Sequence, residues 1–472
     1  MSNPFIQPVS DNLTRVISIL SLLIFLPFLM YGAIMIKDTL RSRASGTKAS
    51  ITVNASETVG TVSMDFMKCL AQGGEEAGDM IMPVFDQTKA LSPQFIRIDH
   101  IYDHYDVVGR NGAGLTFNWS KLDQFVDTIT KVGAKPILAL SYMPSVIAKD
   151  GVIINVPNDW NEWATVVRKT VEHYSGRGEK NMGGVYYEVW NEPDLDQFGS
   201  WKQSGEKNYF TLYRYAAQGA QSASNVNQFF IGGPATTGMY ATWMINLARS
   251  GMRVDFYSWH TYQKDANRFS QDQKNLVAAL LPINALGKPM IISEFSFDGG
   301  KNILYSGNYA AAHTIAVARE LIAAGPMAAC TFEIKDGPND ANDAGWGLIR
   351  NESRGKTTKP RYAVFPFLNR MNGTRLGLVG EGTWVGGFAI KSNQTYRILL
   401  VNFDQYNAST EEFVPLTIAH LPAGSYTVKT DRLFGGDDPT VTVAASDSQP
   451  ITRTVRLARN DAVIVELSPA TQ

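Results

Sequence analysis

The chain has 472 residues, 44% of them hydrophobic and 18% charged, which is enough apolar material for a full globular core and more than one domain and excludes a disordered chain. Its 43 lysines and arginines against 44 aspartates and glutamates leave a formal charge of −1, so no bulk attraction to nucleic acid is expected. An aromatic content of 11%, with nine tryptophans, suits a ring-stacking cleft or an aromatic-rich core equally well.

In chain order, a short tail (1–15) leads into VISILSLLIFLPFLMYGAIMI, residues 16–36, which carries no charge and is long enough to cross a hydrocarbon core of about 30 Å as a helix. The exit IKDTLRSR has no small-residue cleavage site, so the span reads as a retained single-pass anchor rather than a signal peptide. Residues 37–50 are polar and small, as in a tether. Arg15 stands alone before the span while Lys37, Arg41, Arg43 and Lys48 follow it, and the positive-inside rule then favours a cytoplasmic C-terminal side.

From 51 to 369 the sequence alternates. Apolar runs suited to buried parallel strands occur near 61–66 and at 95–99, 135–140, 185–190, 228–233, 254–259, 288–293 and 328–334. Amphipathic helical patterns lie between most of them; SKLDQFVDTITKVG, for example, puts Leu122, Phe125, Val126, Ile129 and Val132 on one face and stops at Gly133. Eight strand-helix units predict an α/β fold, a (β/α)8 barrel; no GxGxxG follows an early strand, which disfavours a doubly wound open sheet. Residues 370–472 change to short alternating runs broken by turn residues about every ten positions, predicting an all-β sandwich that braces the barrel, with 51–58 as a further strand of it. Cys69 and Cys330 fit neither a disulfide framework nor a metal site, and are either buried thiols or one bridge between the first and eighth strands.

In such a barrel the chemistry sits at the C-terminal strand ends, so a carboxylate directly after an apolar run is informative. Glu192 follows VYYEVW by one residue and Glu294 follows KPMIIS immediately, at the fourth and seventh strands. Two facing carboxyls serve glycoside cleavage, one protonating the leaving oxygen and one attacking the anomeric carbon, whereas each alone is also an ordinary helix cap. Asn191 is placed to bond a sugar hydroxyl, or is only a good loop residue. Tyr262 and His260 in WHTY are candidates to hold Glu294 and touch substrate, or satisfied core residues. Arg97, Asp99 and His100 after the second strand orient hydroxyls or form a structural ion pair. Tyr142 and Trp346 are candidate stacking platforms, and Glu333, Lys335 and Asp336 candidate subsite residues by position alone.

WNEP after the fourth strand with SEF after the seventh resembles clan A of the glycoside hydrolases, the 4/7 superfamily. RIDH, WNEPD, WHTY and the β-sandwich tail are most similar to family 39. That family includes β-xylosidases, α-L-iduronidases and a membrane-anchored, Psl-type exopolysaccharide endoglycosidase, and the apolar span draws the reading toward the last. The resemblance implies that Glu192 is the acid/base, Glu294 the nucleophile and Asn191 the partner of the sugar 2-hydroxyl, with retained configuration and no metal or organic cofactor. It further implies a polysaccharide substrate, a synthase or export complex as partner, and a catalytic domain on the periplasmic face of a bacterial inner membrane, against the flanking charges. The alternatives are a non-hydrolytic carbohydrate-binding scaffold and a transglycosylase.

Overall fold

The computed structural model describes residues 46–340, 342–446 and 449–470. The expected tail, the anchor and residues 37–45 of the tether lie outside them; among the described residues no helix is long and apolar enough to cross a membrane.

Eight parallel strands close into a barrel: Cys69–Gln72, Phe95–Ile98, Lys135–Ala139, Val185–Glu188, Phe229–Thr236, Phe256–Tyr262, Met290–Ser296 and Ala328–Phe332, each beside its sequence neighbour and the last beside the first. The first strand is CLAQ, not the run at 61–66, where Met64–Met67 forms a 3-10 turn capped by Ser63. Its small, mixed residues carry no strand signal; partners on both sides impose the conformation. The sixth and seventh strands extend to Tyr262 and Ser296, so WHTY and Glu294 lie within strands rather than beyond them.

Helices cover the barrel where their periodicity predicts. Ser120–Lys131 buries Leu122, Phe125, Val126 and Ile129, and Trp160–Ser175 starts at Asp159, whose carboxylate accepts from Asn161 N. Cys69, Ala71, Ile137, Tyr186, Phe256, Ile291, Ala328 and Cys330 fill the lumen below the C-terminal mouth. There Cys69 and Cys330, paired in register, form a disulfide with Cα atoms 4.2 Å apart.

Residues 373–469 build a nine-stranded sheet completed by Ile51–Val62, which lies antiparallel to Gly373–Val379 and parallel to Glu412–Ala419. The 373–379 strand is an addition to the expected set, since GTRLGLV mixes Gly, Arg and apolar residues without clean alternation. The sheet's inward residues, among them Val53, Leu400, Leu416, Val428, Val455 and Val465, share one core. Its outer face (Phe388, Ile390, Leu399, Val401, Ile464) packs on the barrel core, and the helix Asn308–Leu321 between the two is buried from Tyr309 to Ala318.

That helix carries His313, fully buried among Phe269, Phe297 and Phe403, with Nε2 2.8 Å from Gln263 O. Burial pushes the imidazole down to about 3. The folded state therefore refuses a proton that the unfolded chain accepts below about 6.5, and stability falls as pH drops through that window, by about 2 kcal/mol at pH 5 from this group. Urea unfolding at pH 7 and pH 5 is expected to show a smaller difference for His313→Gln than for the wild type; an unchanged difference would remove His313 from the account.

Candidate active site

The fourth strand ends in Glu188, and the chain then turns sharply. Trp190 (φ 74°) and Glu192 (φ 42°) both lie in the left-handed region, which costs about 1–2 kcal/mol each for non-glycine residues. The cost is offset by packing: Trp190 is fully buried against Tyr142, Trp163 and Trp201, and its Nε1 donates to Phe198 O at 3.0 Å. Glu192 N donates to Ala235 O at 2.9 Å, and Asp194 accepts from Thr237 N at 3.0 Å, binding this turn to the end of the fifth strand. WNEPD is thus a rigid elbow that lifts Glu192 to the barrel mouth.

In the seventh strand a register shift around Ser293–Glu294 breaks the ladder with both neighbours, and Glu294 comes level with His260. A bulge of this kind re-aims a side chain, here into the mouth. One oxygen each of Glu192 and Glu294 and a ring nitrogen of His260 lie within 4.8 Å of one another. His260 Nδ1 is 2.9 Å from Glu192 Oε1 and 3.5 Å from Glu294 Oε2.

Arg97, fully buried, holds the floor: Nη1 donates to Glu294 Oε1 at 2.6 Å, Nε to Glu188 Oε2 at 2.6 Å and Nη2 to Asn191 Oδ1 at 2.7 Å. Tyr262 donates to Glu294 Oε2 at 2.6 Å, and Asn191 Nδ2 donates to Tyr142 OH at 2.9 Å. Burial raises the Glu294 carboxyl above its ordinary value, with His260 and Arg97 opposing and the Glu192 charge adding to the rise. Arg97 and Tyr262, by donating to its two oxygens, favour the anion of Glu294. Burial lowers His260, but Glu294 and Glu192 reverse this and its net direction is upward. Burial keeps the Tyr262 phenol far above its usual range, so it remains a donor.

Removing Arg97 leaves the fully buried Glu188 and the nearly buried Glu294 without their cation. Arg97→Met is expected to cost about 3–5 kcal/mol of stability, read as a lowered urea midpoint. A midpoint within error of wild type would show that these carboxyls are not held as ions.

A cavity of about 650 Å³ opens above this floor, lined among others by Asp99, His100, Asn191, Glu192, Tyr262, Glu294 and Trp346. Three of the predicted substrate contacts are placed elsewhere. Arg97, His260 and Tyr142 are at most 1% exposed and lie behind the lining, each bonded to a lining residue: Arg97 and Tyr142 to Asn191, and His260 through Nδ1 to Glu192. Tyr142 is not a platform: its ring stacks on Phe198, which itself lines the cavity. Trp346 is half-buried in the wall beside Phe332, with Lys301 5.7 Å over its ring. His100 Nδ1 is 2.7 Å from Asp103, and although burial lowers its pKa, Asp99 and Asp103 bring it up to about 9.

Lys335 and Asp336 face away from the cavity, in ion pairs to Glu76 and Glu352 and to Lys359 respectively. Sequence reasoning missed Glu75, Phe198, Lys301 and the Gly337–Pro338–Asn339 wall, which follow strand ends with no apolar run beside them; it also missed Glu188, the last residue of a strand read as apolar to Trp190. Among the described residues two other clusters bring metal-ligand atoms within 4.8 Å, His100–Asp103–His104, where His100 Nδ1 already bonds Asp103, and Asp336–Asp340–Asp343, where Asp336 takes the Lys359 ammonium at 2.6 Å.

A closed parallel barrel whose fourth and seventh strands bring two glutamates to one cavity has the construction of a glycoside hydrolase domain. Residues 51–279, slightly under half of the chain, match the family model of Glycosyl hydrolases family 39; the match takes in Glu192 and His260 and ends before Glu294. A beta-xylosidase of Caldicellulosiruptor saccharolyticus is 28% identical over 232 residues, 46% of each chain. A beta-xylosidase of Geobacillus stearothermophilus is 30% identical over 162 residues, 32% of this chain and 31% of the other. The matches thus span at most about half the length of these relatives. The crystal structure of a monomeric beta-xylosidase from Caulobacter crescentus CB15 superposes with a TM-score of 0.73 at 19% identity, over 90% of this chain and 100% of the other, which establishes a common fold.

Proposed function

We propose that the chain is a retaining glycoside hydrolase in which Glu192 is the acid/base and Glu294 the nucleophile. The observation that carries this reading is that one oxygen of Glu192 lies within 4.8 Å of one oxygen of Glu294, in a cavity of glycan-binding size. That spacing suits direct attack by one carboxylate and leaves no room for the water that an inverting pair, about 6.5–9.5 Å apart, must hold between them. In the first step a Glu294 oxygen forms a bond to the anomeric carbon while the bond to the leaving oxygen breaks and takes the Glu192 proton. In the second, Glu192 removes a proton from water, whose oxygen displaces Glu294 and restores the starting configuration. Asn191, fixed by Arg97 and Tyr142, offers its amide to the sugar 2-hydroxyl.

The finer reading is endo-cleavage of a bacterial exopolysaccharide during synthesis or export, beside a synthase or export complex, by a domain tethered to the periplasmic face of the inner membrane. The uncharged segment 16–36 supports the tether, and the Cys69–Cys330 disulfide supports an oxidising compartment, against the basic residues after the span. Incubation of the protein with purified bacterial exopolysaccharides, followed by mass spectrometry, tests substrate and mode together: internal oligosaccharides are expected, and release of monosaccharide alone would overturn the endo assignment. A topology reporter fused after residue 50 tests the location, and a cytoplasmic signal would end the periplasmic placement.

A further inference from the structure

The mouth has an acidic wall that the two-glutamate chemistry does not use. Glu333, directly after the eighth strand, is fully buried; Glu75, in the loop after the first strand, lines the cavity in front of it. Gln72 Nε2 donates to Glu333 Oε2 at 2.9 Å and to Glu75 Oε2 at 3.3 Å, tying the two carboxyls together. Glycines fit Glu75 closely: a Cβ on Gly337 would lie 2.5 Å from Glu75 Cβ, and one on Gly73 2.8 Å from its Oε1. Among the described residues neither acid has an ion-pair partner. Lys335 is taken by Glu76 and Glu352, Lys359 by Asp336, and His100 by Asp103. Two carboxyls joined through one amide without a cation disfavour each other's ionisation. Burial raises both, and each raises or bonds the other, with Asp99 adding to the rise of Glu75 and Asp336 to that of Glu333, where Lys359 opposes.

An independent observation marks the same wall as a binding surface. Asp99, 7% exposed and part of the cavity lining, leaves Oδ1 buried with no hydrogen-bond partner, and Trp346 Nε1 is likewise unpartnered. The eighth strand, which carries Glu333, lies opposite the fourth strand that delivers Glu192 in the closed ring, and the first, which leads to Glu75, is next to the eighth. Because the acid/base stands beside the leaving group, the wall faces the glycone, the sugar that becomes bonded to Glu294.

We propose that Glu75, backed by Glu333, is a specificity-determining residue that receives hydroxyl groups of an uncharged glycone and rejects a glycone bearing a carboxylate or sulfate. A carboxylic acid donates one hydrogen bond and accepts another, which matches a sugar hydroxyl or a neighbouring pair of them. An anionic substituent would meet Glu75, Glu333 and Asp99, while the cations of the lining are His100, already paired with Asp103, and Lys301, exposed and over the Trp346 ring. This inference rests on the glycosidase reading for the direction of the sugar, but its chemistry is tested without turnover.

Calorimetric titration of wild type, Glu75→Ala and Glu75→Gln with a neutral glycan oligosaccharide and a uronate-containing one of equal length separates the two. The wild type is expected to bind the neutral glycan at least tenfold more tightly. Glu75→Ala is expected to weaken that binding about 10–100-fold, as for loss of a hydrogen bond to a partly charged group. Glu75→Gln is expected to recover most of the loss, since an amide also donates and accepts, and to lose the weakening the wild type shows as pH rises and the pair ionises. Preference for the uronate, equal affinity in all three proteins, binding of neither glycan, or a uronate preference that disappears in Lys301→Gln would each overturn the proposal. Neutral-glycan binding that depends on Glu75 in a protein that cleaves nothing would remove the hydrolase reading and leave this one standing.

Discussion

Glu294→Gln is expected to lower kcat on any glycan the protein cleaves by about 10⁴-fold or more, the scale seen when a covalent nucleophile is removed, equivalent to about 5.5 kcal/mol of transition-state stabilisation. The substitution keeps shape, its amide oxygen can accept from Arg97 and its NH2 can donate to the Tyr262 hydroxyl, so folding should survive. Its amide nitrogen cannot form the ester. Binding of the intact glycan should persist within a few-fold, which separates lost chemistry from a lost site. A variant that retains a tenth or more of wild-type turnover would take Glu294 out of the nucleophile's role.

Glu192→Gln should give a different signature, because its role splits between two steps. Loss of the general acid slows departure of a poor leaving group, such as a sugar alkoxide, by about 10²–10⁴-fold. An activated phenol needs no such proton, so an aryl glycoside with an acidic phenol should still load the enzyme. The second step then lacks its base, and the glycosyl-enzyme accumulates. The expected result is a burst of phenol equal to the enzyme concentration, followed by a slow steady state that added azide accelerates, since azide attacks without a base. Equal loss on sugar and phenol leaving groups, with no burst, would contradict the assignment of Glu192 and favour a structural role for it on His260.

The barrel was legible in the sequence because seven of its strands are apolar runs whose periodicity no other element satisfies, and because WNEP and SEF mark two strand ends. The first strand was not, since CLAQ owes its conformation to partners brought from Phe95 and Cys330. For the site, residue type and position on a strand indicated Glu192, Glu294, Asn191 and Tyr262, all of which meet at one cavity. What a one-dimensional pattern does not carry is depth. Arg97, His260 and Tyr142 lie on the right strands but a layer below the cavity lining, a distinction that appears only in their burial. Glu333 was indicated by position alone and Glu75 not at all, and their pairing was hidden for the opposite reason: they are 258 residues apart, and only closure of the barrel makes them neighbours.

The anomeric configuration of the first product decides the central claim. Proton NMR recorded within the first turnovers of a cleaved glycan, before mutarotation, is predicted to show the new reducing end with the configuration of the bond that was cut. Appearance of the opposite anomer first would mean that water, not Glu294, makes the initial attack, and the two carboxyls would have to be assigned again.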